Sequence, residues 1–269
     1  MKISDEITRQ TVFRAGLTPQ VCNEIKKLDV HALEKEFANI NVEANFMNNK
    51  AIGGICALAV NLLKEAEKKF SLPVAYLPPV IRVYDKADLL KGPAKSTGFC
   101  LTEPETVLIN EKPFDVCSVF IKNVKDDINY IDNMADSSTA FHFSSTNHFT
   151  QYVLHELFHA IHLDAIFREK GYEGESEFAK LKYNNNIDFP DGLMKVEDYQ
   201  RKFFPFNKIR IWKNIGRYAS TSKMELYAET MTKIFTDCID DNMSLKSNPM
   251  DELKKYPDFI GNFVRGELK

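Results

Sequence analysis

The chain has 269 residues, 44% hydrophobic and 27% charged, with a formal net charge of −3. That length buries a full core, and the composition is ordinary for a folded globular protein. The mild acidity and the lack of a long basic run argue against nucleic acid as a partner.

The first six residues, Met1–Glu6, are polar and acidic and lack the apolar core of a signal peptide. The expectation is a cytoplasmic protein or one exported by a non-classical route, secreted only if a leader has been removed. Residues 1–72 read as helical. Ser4–Ala15, Thr18–Ala38 and Lys50–Phe70 carry apolar residues at spacings of three and four, and Pro73 stops the last. The apolar run Ala51–Leu63 is too short to span a bilayer, and its Gly53-Gly54 pair implies close helix packing. The pattern changes from Pro78 to Asp115, where Val80–Tyr84, Ser96–Leu101 and Thr106–Asn110 read as strands. Val116–Met134 fits either helix or strand, with Asp126, Asp127 and Asp132 expected in solvent. Phe141, His142, Phe143 and His148 read as core aromatics and a capped helix start. Further on, Glu173–Tyr183 and Leu193–Phe203 read as short helices around a loop from Asn184 to Pro190. The five cysteines, Cys22, Cys56, Cys100, Cys117 and Cys238, are odd in number, widely spaced and without a C-x-x-C pair. Buried free thiols are expected, which suits a reducing compartment without demanding one.

The chemistry is concentrated in His155-Glu156-Leu157-Phe158-His159, an H-E-x-x-H sequence. On a helix, histidines four apart share a face, so both imidazoles can reach one zinc ion. Glu156 can lean toward the water position, the geometry of a general base. The flanking Val153, Leu154, Ala160 and Ile161 are apolar, as a dry metal site needs. No proline falls between Gln151 and Arg168, and Ser144–Asn147 offers N-cap candidates. The competing reading is a core helix with two satisfied histidines.

A catalytic zinc site takes a third protein ligand and keeps one position for water. The metzincin extension would need glycine and histidine where His162 and Ala165 stand, so it is excluded. His162 is read as a core histidine. The remaining source is the segment Lys223–Phe235, started by Thr221 or Ser222, where Glu225 and Glu229 are four apart on a partly apolar helix. One can bind zinc, and the other can accept the free N–H of a ligating histidine.

The pattern Tyr218-x-x-Thr221-x-x-x-Glu225-x-Tyr227-Ala228-Glu229 resembles the second motif of the anthrax lethal factor-like zinc metallopeptidases, which include the clostridial Pro-Pro endopeptidases. The resemblance runs from about Val80 to the C-terminus, where Lys255–Ile260 fits a closing helix. It implies a gluzincin, H-E-x-x-H…E, with His155, His159 and Glu225 as zinc ligands and Glu156 as base. Tyr218 would stabilise the transition state, and Glu229 would support a ligand from behind. The implied fold is α+β and zincin-like: a small mixed sheet over an active-site helix, with a helical C-terminal half. Residues 1–75 would form a helical segment packed on a catalytic domain over 76–269, with an insertion around 167–213 that shapes the substrate groove. The long separation of His159 from Glu225 is the main departure from the family's compact members.

The reading is a zinc-dependent endopeptidase that hydrolyses peptide bonds through a zinc-bound water activated by Glu156. It holds one zinc ion, acts on a peptide or protein, and is expected to be a monomer without nucleic-acid partner or membrane span. An edge strand upstream of the zinc helix would pair with the substrate backbone. The rivals are a zinc aminopeptidase or amidase, and a catalytically inactive lethal factor-like binding or toxin module.

Overall fold

The computed structural model describes residues 17–74, 77–78, 80–84, 100–109, 112–140, 144–170, 186–189, 192–195, 207–221 and 223–267. The expected helices Ser4–Ala15 and Glu173–Tyr183, and the aromatics at 141–143, lie outside them. Three helices come first: α1 (Pro19–Lys26), α2 (Val30–Ala38) and α3 (Lys50–Phe70). The single helix expected over Thr18–Ala38 is two. Asp29 adopts an extended conformation, and its carboxylate accepts the Ala32 N–H at 3.2 Å, which caps a new helix. Helix α3 has the expected bounds: Asn49 caps it, and Ser71 closes it in the left-handed conformation, φ 52°. A Cβ on Gly54 would come within 2.7 Å of Ile25 Cγ1, so α1 and α3 pack as closely as the glycine pair implies.

A four-stranded sheet follows the order β1-β2-β4-β3, with β1 (Glu43–Asn45), β2 (Val80–Tyr84), β3 (Cys100–Ile109) and β4 (Lys112–Lys122). Strands β1 and β4 run parallel to β2, and β3 runs antiparallel to β4, so the sheet is mixed. The two strands expected over Ser96–Asn110 are one within the described residues, continuous through Pro104. Proline lacks the ladder N–H, and β3 tolerates it as an edge strand that pairs only with β4 among the described residues. The ambiguous stretch after Val116 divides into the end of β4 and helix α4 (Ile128–Ala140). Asp126 is not simply solvated: its carboxylate accepts the Ala51 N–H at 2.8 Å and ties this connection to the start of α3.

The remaining elements are α5 (Gln151–Lys170), a hairpin of β5 (Asn186–Phe189) and β6 (Gly192–Lys195), α6 (Lys208–Asn214), a 3-10 turn (Tyr218–Ser220) and α7 (Lys223–Asp237). Then come α8 (Pro249–Glu252), a second 3-10 turn (Leu253–Lys255) and α9 (Asp258–Glu267). The hairpin corrects two expectations, the loop over Asn186–Phe189 and the helix beginning at Leu193. Ile187 and Phe189 alternate with polar neighbours, a short-strand pattern, and Pro and Asp between the strands are residue types that favour turns. The closing helix begins at Asp258, after Pro257, because proline disfavours a helical residue before it.

Helix α5 packs against β3 and β4, against α3 and, most extensively, against α7. Val153, Leu154, Leu157, Phe158 and Ala160 are all almost fully buried, as befits a helix covered on most sides. One hydrophobic cluster runs from Leu17 to Val264 and joins the N-terminal helices to the sheet, α5 and α7. Among the described residues, no helix is long and apolar enough to cross a membrane. Cys22, Cys56 and Cys238 are buried free thiols, and burial pushes each thiol pKa up.

Candidate metal centre

Two residues on α5 and two on α7, each pair four apart in sequence, meet where the helices pack. His155 Nε2 lies 3.0 Å and His159 Nε2 3.3 Å from the same atom, Glu225 Oε2. The two imidazoles stand edge to face, with centroids 4.5 Å apart. One ligand atom from each of His155, His159 and Glu225 lies within 4.8 Å of the other two. Two imidazole nitrogens and one carboxylate oxygen, close together and mostly shielded from solvent, suit a divalent metal ion, zinc above all.

Charge and burial act on these groups in opposite directions. Burial pulls the His155 pKa down, but hydrogen bonding and charge from Glu225 and Glu229 outweigh it and hold it well above the ordinary histidine value. Burial likewise pushes Glu225 up, but His159 and His155 outweigh it and hold the carboxyl far below the usual range. The donor set is thus polarised toward a positive charge at its centre.

Glu229 is 5% exposed and sits behind His155. Its Oε1 lies 3.0 Å from His155 Nδ1, and its Oε2 accepts the Ser145 N–H at 2.7 Å. The Ser145 hydroxyl donates to the Glu229 carbonyl at 3.0 Å. Ser145 was expected among the caps of α5; it clamps Glu229 instead. The segment 144–147 crosses α7 before the chain turns into α5, which starts only at Gln151. No sequence pattern announces this, because Ser145 and Glu229 are 84 residues apart.

Tyr218 comes from the 3-10 turn before α7. The turn is secured by the Ser220 hydroxyl donating to Arg217 O and the Thr221 hydroxyl donating to Tyr218 O, both at 2.7 Å. Thr221 thus secures the turn; Ser222, the other cap candidate for α7, lies outside the described residues. The Tyr218 ring lies 5.7 Å from that of His155, nearly parallel, and its side chain hydrogen-bonds to Glu225. Burial, then the charges of Glu225 and Glu156, push the phenol pKa far up, so the hydroxyl keeps its proton. Glu156 is 8% exposed on α5, and its carboxylate is close enough to act on the Tyr218 phenol.

His162 is not part of this group. It is buried and stacks on Tyr227 with centroids 4.3 Å apart, as a core histidine does. His148 is also internal: it stacks on Phe149, and its Nδ1 lies 2.7 Å from Thr150 Oγ1 at the start of α5.

No family model and no curated protein matches the chain. Among solved structures, it is similar to one described as a candidate zinc-binding metallo-peptidase from Bacteroides caccae, at 14% identity and a TM-score of 0.37 over 94% of this chain and 85% of that one. A likeness that distant fixes neither family nor activity; the His155, His159 and Glu225 donors stand on their own geometry.

Proposed function

We propose that the protein is a zinc-dependent endopeptidase of the H-E-x-x-H…E type, with a zincin-like catalytic domain over 76–269 on which the 1–75 segment packs. The reading keeps the resemblance to lethal factor-like metallopeptidases. The observation that carries it is the convergence of His155, His159 and Glu225 with Glu229 behind His155 and Tyr218 beside it.

In this reading His155, His159 and Glu225 hold one zinc ion. When bound, zinc supplies a Lewis acid for the scissile carbonyl and makes water acidic near neutral pH. Glu156 takes a proton from the attacking water and passes it to the leaving amine. Tyr218, kept protonated by its surroundings, donates a hydrogen bond to the oxygen that gains charge in the transition state. Glu229, anchored by Ser145, holds the His155 ring so that Nε2 faces the centre. Among the described residues strand β3 is an edge that packs against α5, and in this reading an extended peptide gains backbone pairing along it.

The test is cleavage of a diverse peptide library, read by mass spectrometry, for wild type and Glu156→Ala at matched zinc content. Internal cuts made only by wild type support the reading. Cuts confined to the first peptide bond favour an aminopeptidase. Zinc-loaded wild type that cuts nothing favours the inactive binding module.

A further inference from the structure

The surface beside Tyr218 combines clustered positive charge with exposed apolar side chains. Residues 201–224 hold seven lysines and arginines and no acidic residue, in a protein of net charge −3. Within this stretch α6 and the turn after it expose Lys208, Arg210, Lys213 and Arg217. Several cations elsewhere are neutralised locally: Lys125 by Asp127, Lys233 by Asp237, Lys254 by Asp251, Lys255 by Glu252. None of these four pairs with a carboxylate among the described residues. Arg210 lies over the Phe259 ring and Arg217 over Trp212.

Between the cations stand two large apolar side chains left in solvent, Ile209 at 65% and Trp212 at 47% exposure. They are three apart on α6, so they share a face, while Ile211 anchors the opposite side in a small core with Ile215, Ala219 and Ile260. This face is rigidly joined to the candidate site: α6 packs on the turn that carries Tyr218.

We propose that this face is an exosite for the substrate: a peptide segment bearing acidic residues beside bulky apolar ones docks on α6 as the scissile bond enters the site. The proposal rests on the peptidase reading for its substrate, but the docking itself can be read without catalysis. Unneutralised cations draw an acidic chain in and set its approach. Exposed tryptophan and arginine are the residue types that anchor partner side chains. A peptide is favoured over a lipid surface because the face adjoins the proposed peptidase site and, among the described residues, presents two exposed apolar side chains on a seven-residue helix.

Trp212 is the sole tryptophan in the chain, so its fluorescence reports this face alone. The probes are a short peptide of alternating glutamate and phenylalanine, its lysine counterpart, and vesicles of phosphatidylserine and phosphatidylcholine. They are added to zinc-loaded Glu156→Ala protein, so cleavage does not intrude. The expected result is a saturable blue shift with the acidic peptide only, weakened by salt. Lys208→Glu/Lys213→Glu, with both positions exposed, should weaken it by about tenfold. No shift, an equal shift with the lysine peptide, a shift with vesicles alone, or undiminished binding by the double variant would each overturn the exosite. With active enzyme, the same double variant should raise KM for acidic peptides and leave kcat and cleavage of neutral peptides unchanged. Failure of the library experiment with retention of the fluorescence shift would sink the peptidase reading and leave the docking face standing.

Discussion

His155 Nδ1 lies 3.0 Å from Glu229 Oε1, and its opposite nitrogen Nε2 lies 3.0 Å from Glu225 Oε2. Glu229 itself accepts the Ser145 N–H, and on the proposed reading this carboxylate orients the ring from outside the centre. The two α7 glutamates therefore predict different losses. Glu229→Gln should lower zinc affinity by about tenfold to a hundredfold, the usual effect of removing a partner that orients a ligand. Glu225→Ala should abolish stoichiometric zinc. Competition with a chelator measures both, and a larger loss from Glu229→Gln would reverse the two roles.

Tyr218→Phe removes one hydroxyl and leaves the ring beside His155. If that hydroxyl meets charge only in the transition state, kcat should fall by about a hundredfold or more, corresponding to about 3 kcal/mol, while KM changes little. Zinc content should be unaltered. Steady-state kinetics on a peptide found in the library separates the two constants, and a change confined to KM would remove Tyr218 from the chemistry.

The histidine pair was legible in the sequence because the spacing of four is local: helical geometry alone puts His155 and His159 on one face. The spacing of Glu225 and Glu229 was equally local, but which carboxylate faces the centre depends on the rotation of α7 against α5, which no single helix encodes. Ser145 was misread because a serine before a helix is ordinarily a cap, and its partner here is distant in sequence. The sheet was half legible. Val80–Tyr84 is apolar enough to announce itself, whereas Glu43–Asn45 has no strand pattern and forms β1 only because β2 offers it a parallel edge.

His148 gives the fold a pH dependence independent of the metal centre. It is buried, and desolvation lowers its pKa to about 3. The Thr150 N–H points at its Nδ1, which keeps that nitrogen an acceptor. In the unfolded chain the imidazole takes a proton near pH 6.5, while the folded protein resists it until about pH 3. The unfolded state binds more protons in that window, so stability falls as pH drops through it. From pH 7 to pH 5 the loss from this group is about 2 kcal/mol. Urea unfolding at the two pH values should show this difference in wild type and a smaller one in His148→Asn. Equal differences would mean that His148 is charged in the folded protein.

The glycine pair on α3 separates helix propensity from packing. Alanine at either position should favour the helix by about 1 kcal/mol. At Gly53 the nearest atom to an added Cβ is Leu33 Cδ2 at 3.3 Å, the free end of a side chain that can yield. At Gly54 it is Ile25 Cγ1 at 2.7 Å, part of a β-branched side chain held in α1 and buried. Overpacking at such a contact costs about 1–3 kcal/mol and outweighs the propensity gain. Gly54→Ala should therefore be destabilised by roughly 1 kcal/mol, and Gly53→Ala should be neutral or slightly more stable. Because α3 packs against α5, chelator competition on both variants also reads the metal centre. Zinc affinity unchanged in both would show that α3 supports the fold without setting the geometry of His155 and His159, and weaker zinc binding in Gly54→Ala alone would show that the close approach of α1 and α3 positions the zinc helix.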